Sequence, residues 1–174
     1  MRATHVTFAM TGMALAAVLL AGCSRHDTSS DTSVASVAKQ EALVPPSNPN
    51  DAVAWRAFLG KAILAETRDP KLHPYAFVVP GGDSVEAVER RQGEAMAIRG
   101  MLGHTAVPGN ILALTGPDSA KVIEVIGAAF KDVPAHGAQG LTIFYVGTSS
   151  TTVKAQAIVR AAGAELRARA IQVQ

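Results

Sequence analysis

The sequence predicts a single α/β domain with a mainly parallel sheet of about four strands and helices on its faces. In residues 111–130, ILALTGPDSAKVIEVIGAAF, a buried strand, a glycine turn and an amphipathic helix follow one another without interruption. The same order occurs in residues 77–89 and 144–156. The three junctions recur about every 31 to 35 residues, which suits successive βαβ units of roughly 30 residues each. Helices between consecutive strands in turn favour parallel pairing.

The composition indicates one hydrophobic core and argues against a nucleic-acid partner. The chain has 174 residues, of which 48% are apolar and 17% charged, so one domain with a substantial core is expected. The formal net charge of +2 is too small to indicate a nucleic-acid partner.

The N-terminus has the order of a secretory signal. Arg2 precedes an apolar run over residues 6–20, which is followed by the small residues Ala21 and Gly22 and then Cys23. The run is short for a membrane span. With Leu20-Ala21-Gly22-Cys23 as its lipobox, the segment resembles a bacterial lipoprotein signal peptide.

The resemblance implies removal of residues 1–22 and fatty acylation of Cys23. It also implies a membrane partner through that lipid, and outer-membrane sorting towards the periplasm because Ser24 follows where an aspartate would retain the protein. Two or three acyl chains anchor a protein stably, whereas one does so only marginally.

Residues 23–50 predict a flexible tether. After Cys23 the composition is rich in serine, threonine, aspartate and proline, with few large apolar residues. As a coil the segment would reach about 30 Å. Cys23 is also the sole cysteine, so the domain must be stabilised without a disulfide.

The domain is predicted over residues 51–174, and Asn50 or Asp51 is expected to cap its first helix. One apolar face of that helix contains Trp55, Phe58, Leu59, Ala62 and Ile63. On such a stripe, Trp55 is expected in the core rather than as a ligand platform.

A turn at 68–70 precedes the first strand, near residues 75–79. Asp83 or Ser84 is expected to cap the second helix, which should run to about residue 102, and Asp83 with Glu86 resembles a capping box. The charge run on this helix is expected to be a solvated face. It comprises Glu86, Glu89, Arg90, Arg91 and Glu94.

The second strand is predicted at 111–114, and Asp118 should cap the third helix. Residues 141–146 are apolar except for one threonine, which predicts a central strand covered on both faces. A fourth helix over 151–162 should end at Gly163. The last strand follows at 165–173, where two arginines, Arg167 and Arg169, favour an edge position.

Ligand chemistry is expected where parallel strands end and helices begin. Asp83 and Asp118 place carboxylates at the first two junctions, where they would repel a phosphate. The third junction carries only glycine and hydroxyls, so it is the candidate site for a small anionic or polyhydroxyl ligand, with ordinary helix capping as the alternative. It comprises Gly147, Thr148, Ser149 and Ser150.

No catalytic motif occurs in the sequence. There is no GxSxG elbow, HExxH, Walker loop or GxGxxG, and no pattern indicating a metal or another cofactor. Ser119, Asp132 and His136 could act together only if the fold brought them into contact. An enzyme is therefore not indicated.

Residues 141–171 are similar to the peptidoglycan-binding OmpA-like domain, which also runs strand, glycine-threonine turn, helix, glycine, strand. Ser149 stands in place of that family's aspartate and Lys154 in place of its helix arginine, so the residues that would grip the peptide stem are missing and the family is not assigned. The resemblance nevertheless keeps peptidoglycan among the possible partners.

Taken together, these features predict a lipid-anchored module of the bacterial envelope. We expect it to be non-catalytic and to serve binding or assembly with an envelope protein or peptidoglycan. The alternative is a small-ligand-binding or hydrolytic α/β protein that uses the glycine turns at the strand ends.

Overall fold

The computed structural model describes residues 43–67 and 72–171. Helices and strands alternate through these residues. In chain order they are α1 (Ala52–Glu66), β1 (His73–Val78), α2 (Val85–Thr105), β2 (Asn110–Thr115), α3 (Ser119–Phe130), β3 (Thr142–Gly147), α4 (Ser149–Ala161) and β4 (Glu165–Ala170). The predicted signal peptide, Cys23, the turn at 68–70 and most of the predicted tether lie outside the described residues.

Side-chain caps explain where three of the helices begin. Asp51 Oδ1 accepts hydrogen bonds from the backbone N–H groups of Val53 and Ala54, and Asp118 caps α3 in the same way. Both predicted aspartate caps are confirmed. At α2 the cap is Ser84, whose hydroxyl accepts from the Ala87 N–H, so the predicted capping box built on Asp83 is wrong.

The four strands form one parallel sheet in the order β1-β2-β3-β4. This confirms the predicted fold class, the central position of β3 and the edge position of β4. Each strand therefore pairs with the strand that precedes it in the chain, and β1 is the second open edge.

Side-chain alternation divides the core into two layers. Leu112, Leu114, Ile143 and Tyr145 pack against α2, α3 and α4. Ile111, Ala113, Phe144 and Val146 point to the other face, where α1 packs. The three helices that connect strands therefore share one face, and among the described helices α1 alone covers the other. Trp55 is 3% exposed and belongs to this second layer, which confirms its predicted core position.

The helix ends differ modestly from the prediction. Helix α2 extends through Thr105 rather than ending near residue 102, so the exposed His104 belongs to this helix. Helix α4 begins at Ser149 and ends at Ala161. Gly163 follows with a φ of 81°, a left-handed conformation that suits glycine and lets the chain turn into β4.

Candidate functional site

The three strand-to-helix junctions lie together at the carboxyl ends of the strands, as expected for parallel strands. A ligand-binding crevice was expected from the sequence at this end of the sheet, but the observed strand order does not form one. In open α/β sheets, ligands bind where the strand order reverses and neighbouring connections diverge to opposite faces. Here the order is sequential and all three connecting helices lie on one face. The sheet has no reversal point.

Ion pairs and backbone contacts tie the first junction to its neighbours. Asp83 lies 2.9 Å from Lys121 Nζ and 3.7 Å from Arg91 Nη2. The hydrogen bond from Lys121 lowers the pKa of the Asp83 carboxyl, and the same bond raises the pKa of Lys121. Asp83 therefore links the β1–α2 connection to α3 rather than capping a helix.

Arg91 was expected on a solvated face but is only 7% exposed. Its Nη1 donates to the backbone oxygens of Pro80, at 3.2 Å, and Gly82, at 2.6 Å. The guanidinium can satisfy several carbonyls at once, which makes its burial tolerable. Arg91 therefore fixes the shape of the β1–α2 connection, and the prediction that the whole charge run is solvated is wrong at this residue.

The third junction, Gly147 to Ser150, is an internally bonded group of hydroxyls. Thr148 is the N-cap of α4, but its side chain makes no hydrogen bond to the helix N–H groups. Instead its Oγ1 lies 2.9 Å from Thr151 Oγ1 and 3.2 Å from Ser150 Oγ. Thr151 Oγ1 in turn lies 2.6 Å from Tyr145 Oη. Direct side-chain capping by Thr148 is thus absent.

Tyr145 is buried beside this group of hydroxyls. Burial raises the pKa of the Tyr145 hydroxyl, while hydrogen bonds from Thr151 and Ser119 act in the opposite direction. The Thr148 N–H donates to Ser119 Oγ at 3.1 Å, which joins the second and third junctions. Since these hydroxyls already bond one another, a ligand would have to replace existing contacts. The assignment of Gly147, Thr148, Ser149 and Ser150 to ligand binding stays a prediction.

The other catalytic candidates do not come together. Ser119 begins α3, whereas Asp132 follows its last turn and pairs with Arg99 at 3.5 Å. A helix of this length separates its two ends by about 18 Å. His136 lies in the connection after Asp132, which leads to the amino end of β3, whereas Ser119 lies near the carboxyl ends of the strands. The three residues therefore cannot act as one nucleophile–base–acid group.

A cleft of about 280 Å³ lies beside the free edge of β1. Its floor includes Ala76 and Val78, one wall comes from the start of α1 and the other from α2. The charged residues in its lining are Arg56 from α1 and Glu86, Arg90 and Glu94 from α2. This volume is at the lower limit for drug-sized ligands, which occupy about 300 to 1,000 Å³. The size and charge suit a short extended chain with polar side chains better than a cofactor.

The backbone on the floor of this cleft has unused hydrogen-bonding groups. The N–H groups of His73 and Val79 donate to β2 at 2.9 and 2.8 Å, so odd-numbered residues of β1 face β2. The amides of Ala76 and Val78 therefore point away from the sheet. Within residues 43–67 and 72–171, their N–H groups have no acceptor. Pro74 lies two residues before Ala76, and its backbone nitrogen also faces away from β2. Its lack of an N–H therefore removes no hydrogen bond between β1 and β2.

The Glu94 carboxyl is affected by charges from both helices that form the cleft walls. Burial raises the pKa of its carboxyl, and the positive charges of Arg90 and Arg56 act against that rise. Charges from α1 and α2 thus meet over the β1 edge. Sequence reasoning missed this cleft because it depends on which strand lies at the edge, and strand order leaves no local signal in the chain.

No protein family, curated protein or solved structure matches this chain. No helix in the described part of the chain combines the length and apolar character needed to cross a membrane. Within the same residues, no group of three or more histidine, cysteine, aspartate or glutamate side chains could hold a metal ion.

Proposed function

We propose that this protein is an acylated lipoprotein of the bacterial envelope whose domain binds an extended segment of an envelope partner along the free edge of β1. The lipid would be attached at Cys23, and the protein would be held at the outer membrane, facing the periplasm. The activity would be binding or assembly rather than catalysis.

The observation that carries the binding proposal is the open amide edge within the cleft. An extended segment can add to an exposed strand, with its backbone supplying affinity and its side chains entering flanking pockets. Ala76 and Val78 offer that backbone, while Arg90 can meet carboxylates or carbonyls of the incoming chain. The other edge strand, β4, instead carries Arg167 paired with Glu165 at 2.9 Å, a feature that discourages pairing.

The alternative is a small-ligand-binding or hydrolytic protein that uses Gly147, Thr148, Ser149 and Ser150. It is supported by the start of α4, where no side chain caps the first N–H groups. The bonds among Thr148, Thr151 and Tyr145 weigh against it, because a ligand would have to break them.

Two proline variants at matched positions test the edge proposal. Ala76 on β1 and Ala168 on β4 are both exposed alanines whose amides point away from the sheet. Proline there removes one outward N–H and leaves the ladder intact. With a photo-reactive residue replacing Glu86 on the cleft wall, we expect a discrete cross-linked partner in cells for the parent and for Ala168→Pro. Ala76→Pro should abolish that product.

The outcomes separate the two functions, provided that circular dichroism shows each variant folded. An undiminished cross-link in Ala76→Pro would mean that the partner does not use the strand edge. If the cross-link is instead lost when Thr148, Ser149 and Ser150 are replaced by alanine and Ala76→Pro retains it, the alternative site is favoured.

A further inference from the structure

Helix α1 is apolar on the side that faces away from the sheet as well as on the side that packs. Val53 and Leu64 are 75% and 71% exposed. Together with Ala57 and Gly60 they occur at spacings of three and four residues and form one stripe along the helix. Gly60 has open space where a side chain would stand.

The charges beside this stripe have one sign. Arg56 and Lys61 are exposed on either side of it, and both have long aliphatic stems. The carboxylates of α1 and of its N-cap are oriented elsewhere, and Glu94 of α2 acts on Arg56 from the cleft side. Asp51 Oδ1 caps the helix, and Glu66 lies seven residues after the buried Leu59, on the side of the sheet. The outward side of α1 is therefore an apolar stripe flanked by cations, the pattern of helices that lie on anionic membrane surfaces.

We infer that the outward side of α1 rests on the lipid surface to which the chain is anchored, with Val53 and Leu64 at the acyl boundary and Arg56 and Lys61 among anionic headgroups. The inference rests on the anchoring at Cys23 proposed above. Residues 24–51 join that cysteine to α1, so the proposed anchor precedes this helix by less than 30 residues. A connection of this length allows α1 to reach the bilayer.

Tethering also explains why so small a stripe suffices. Two large apolar side chains would hold a free protein only weakly at a membrane. An anchored domain meets the surface at a high effective concentration, so a weak contact is enough to orient it. The sheet would then lie over α1, with α2, α3 and α4 on the far side.

A second copy of the chain fits this stripe less well. Antiparallel packing of two α1 helices, with Val53 opposite Leu64 of the second copy, would place the two Arg56 side chains along one side of the contact and the two Lys61 side chains along the other. Like charges in that position are repulsive, and no carboxylate on the outward side of α1 is available to separate them.

Single-cysteine labelling of the full lipoprotein tests the inference. Cys23 is the sole cysteine and its thiol is consumed by acylation, so an introduced cysteine is the one reactive thiol. Leu64→Cys probes the stripe. Val153→Cys is the matched control, since Val153 is also 71% exposed but lies on α4, across the sheet. Each variant would carry a fluorophore and be reconstituted into phosphatidylethanolamine vesicles with and without phosphatidylglycerol.

With phosphatidylglycerol, the label at Leu64 should be quenched several-fold more by lipid-borne nitroxide than the label at Val153, and should be shielded from aqueous iodide. Equal iodide quenching at both positions on vesicle-bound protein would overturn the inference and leave the anchor in place. In detergent without vesicles, energy transfer between Leu64 labels that clearly exceeds the transfer between Val153 labels would overturn it in favour of a second copy. A Cys23 thiol that still reacts with the label would overturn both the anchor and the membrane contact.

Discussion

Replacing Leu59 with alanine should destabilise the domain strongly, because α1 alone packs on its face of the sheet among the described helices. Leu59 is fully buried between α1 and the sheet, in the layer that contains Phe144 and Val146. Removing three carbon atoms forfeits about 2.5 kcal/mol of transfer free energy. Strands β2 and β3 are held by neighbours on both sides, so collapse around the cavity is limited. We therefore expect a total loss of about 3 to 4 kcal/mol in the free energy of unfolding.

The matched control is Leu64→Ala on the same helix, where the exposed side chain should leave stability within about 0.5 kcal/mol of the parent. Guanidinium unfolding of residues 23–174 carrying Cys23→Ser would measure both variants. Trp55 fluorescence reports the α1 layer directly, since Trp55 is the sole tryptophan, and circular dichroism gives the second probe of a two-state transition. If the two variants differ by less than about 1 kcal/mol, α1 is not packed on the sheet as described.

Three further predictions concern other parts of the chain. Gly147→Ala would place a methyl group against the Tyr145 hydroxyl and should cost about 1 to 3 kcal/mol in thermal or denaturant unfolding. Its control, Gly93→Ala in the middle of α2 with nothing nearby, should instead gain about 0.5 to 1 kcal/mol; equal effects would refute the close contact. Glu94 has a raised pKa in the folded state, so its contribution to stability is fully present below the unfolded-state pKa and is lost as pH rises through the folded-state pKa. Glu94→Gln should therefore stabilise the domain at pH 7 relative to its effect at pH 3, and a pH-independent difference would contradict this. Cys23→Ser should leave the precursor uncleaved and without labelled fatty acid, whereas normal processing and labelling would remove the basis for anchoring.

Sequence reasoning succeeded where short-range physics decides the structure. Residues 111–130 contain a strand, a glycine and a capped helix in one stretch, and Asp118 caps that helix as predicted. Sequence reasoning failed where the structure depends on contacts between residues that are far apart in the chain. Nothing near Arg91 in the sequence shows that it will be buried under two backbone carbonyls. The glycine of the turn after β2, Gly116, was predicted only as part of that turn, yet a side chain there would collide with the carbonyl of Val79, which directly follows β1.

The candidate site was harder to predict than the fold for the same reason. The hydroxyl-rich turn at 147–150 is visible as a pattern, but its bonds to Tyr145 and Ser119 depend on how strand and helix ends meet. The cleft beside β1 depends on the strand order, and a sequence with this pattern of strands and helices is compatible with several strand orders. Local patterns therefore predicted the elements, while the edge at which binding is proposed required the three-dimensional arrangement.

The sequential strand order also bears on how the sheet assembles during synthesis. Each new strand can add to the one made just before it, so the sheet can grow in the N-to-C direction without waiting for a later segment. Until β4 is complete, the growing edge is β3, whose Ile143 to Val146 are buried and uncharged in the finished domain. Such an edge is prone to pair with other chains. The last strand, with Arg167 and Arg169, thus covers an aggregation-prone edge, and a chain truncated before residue 165 should be recovered as aggregate or be degraded.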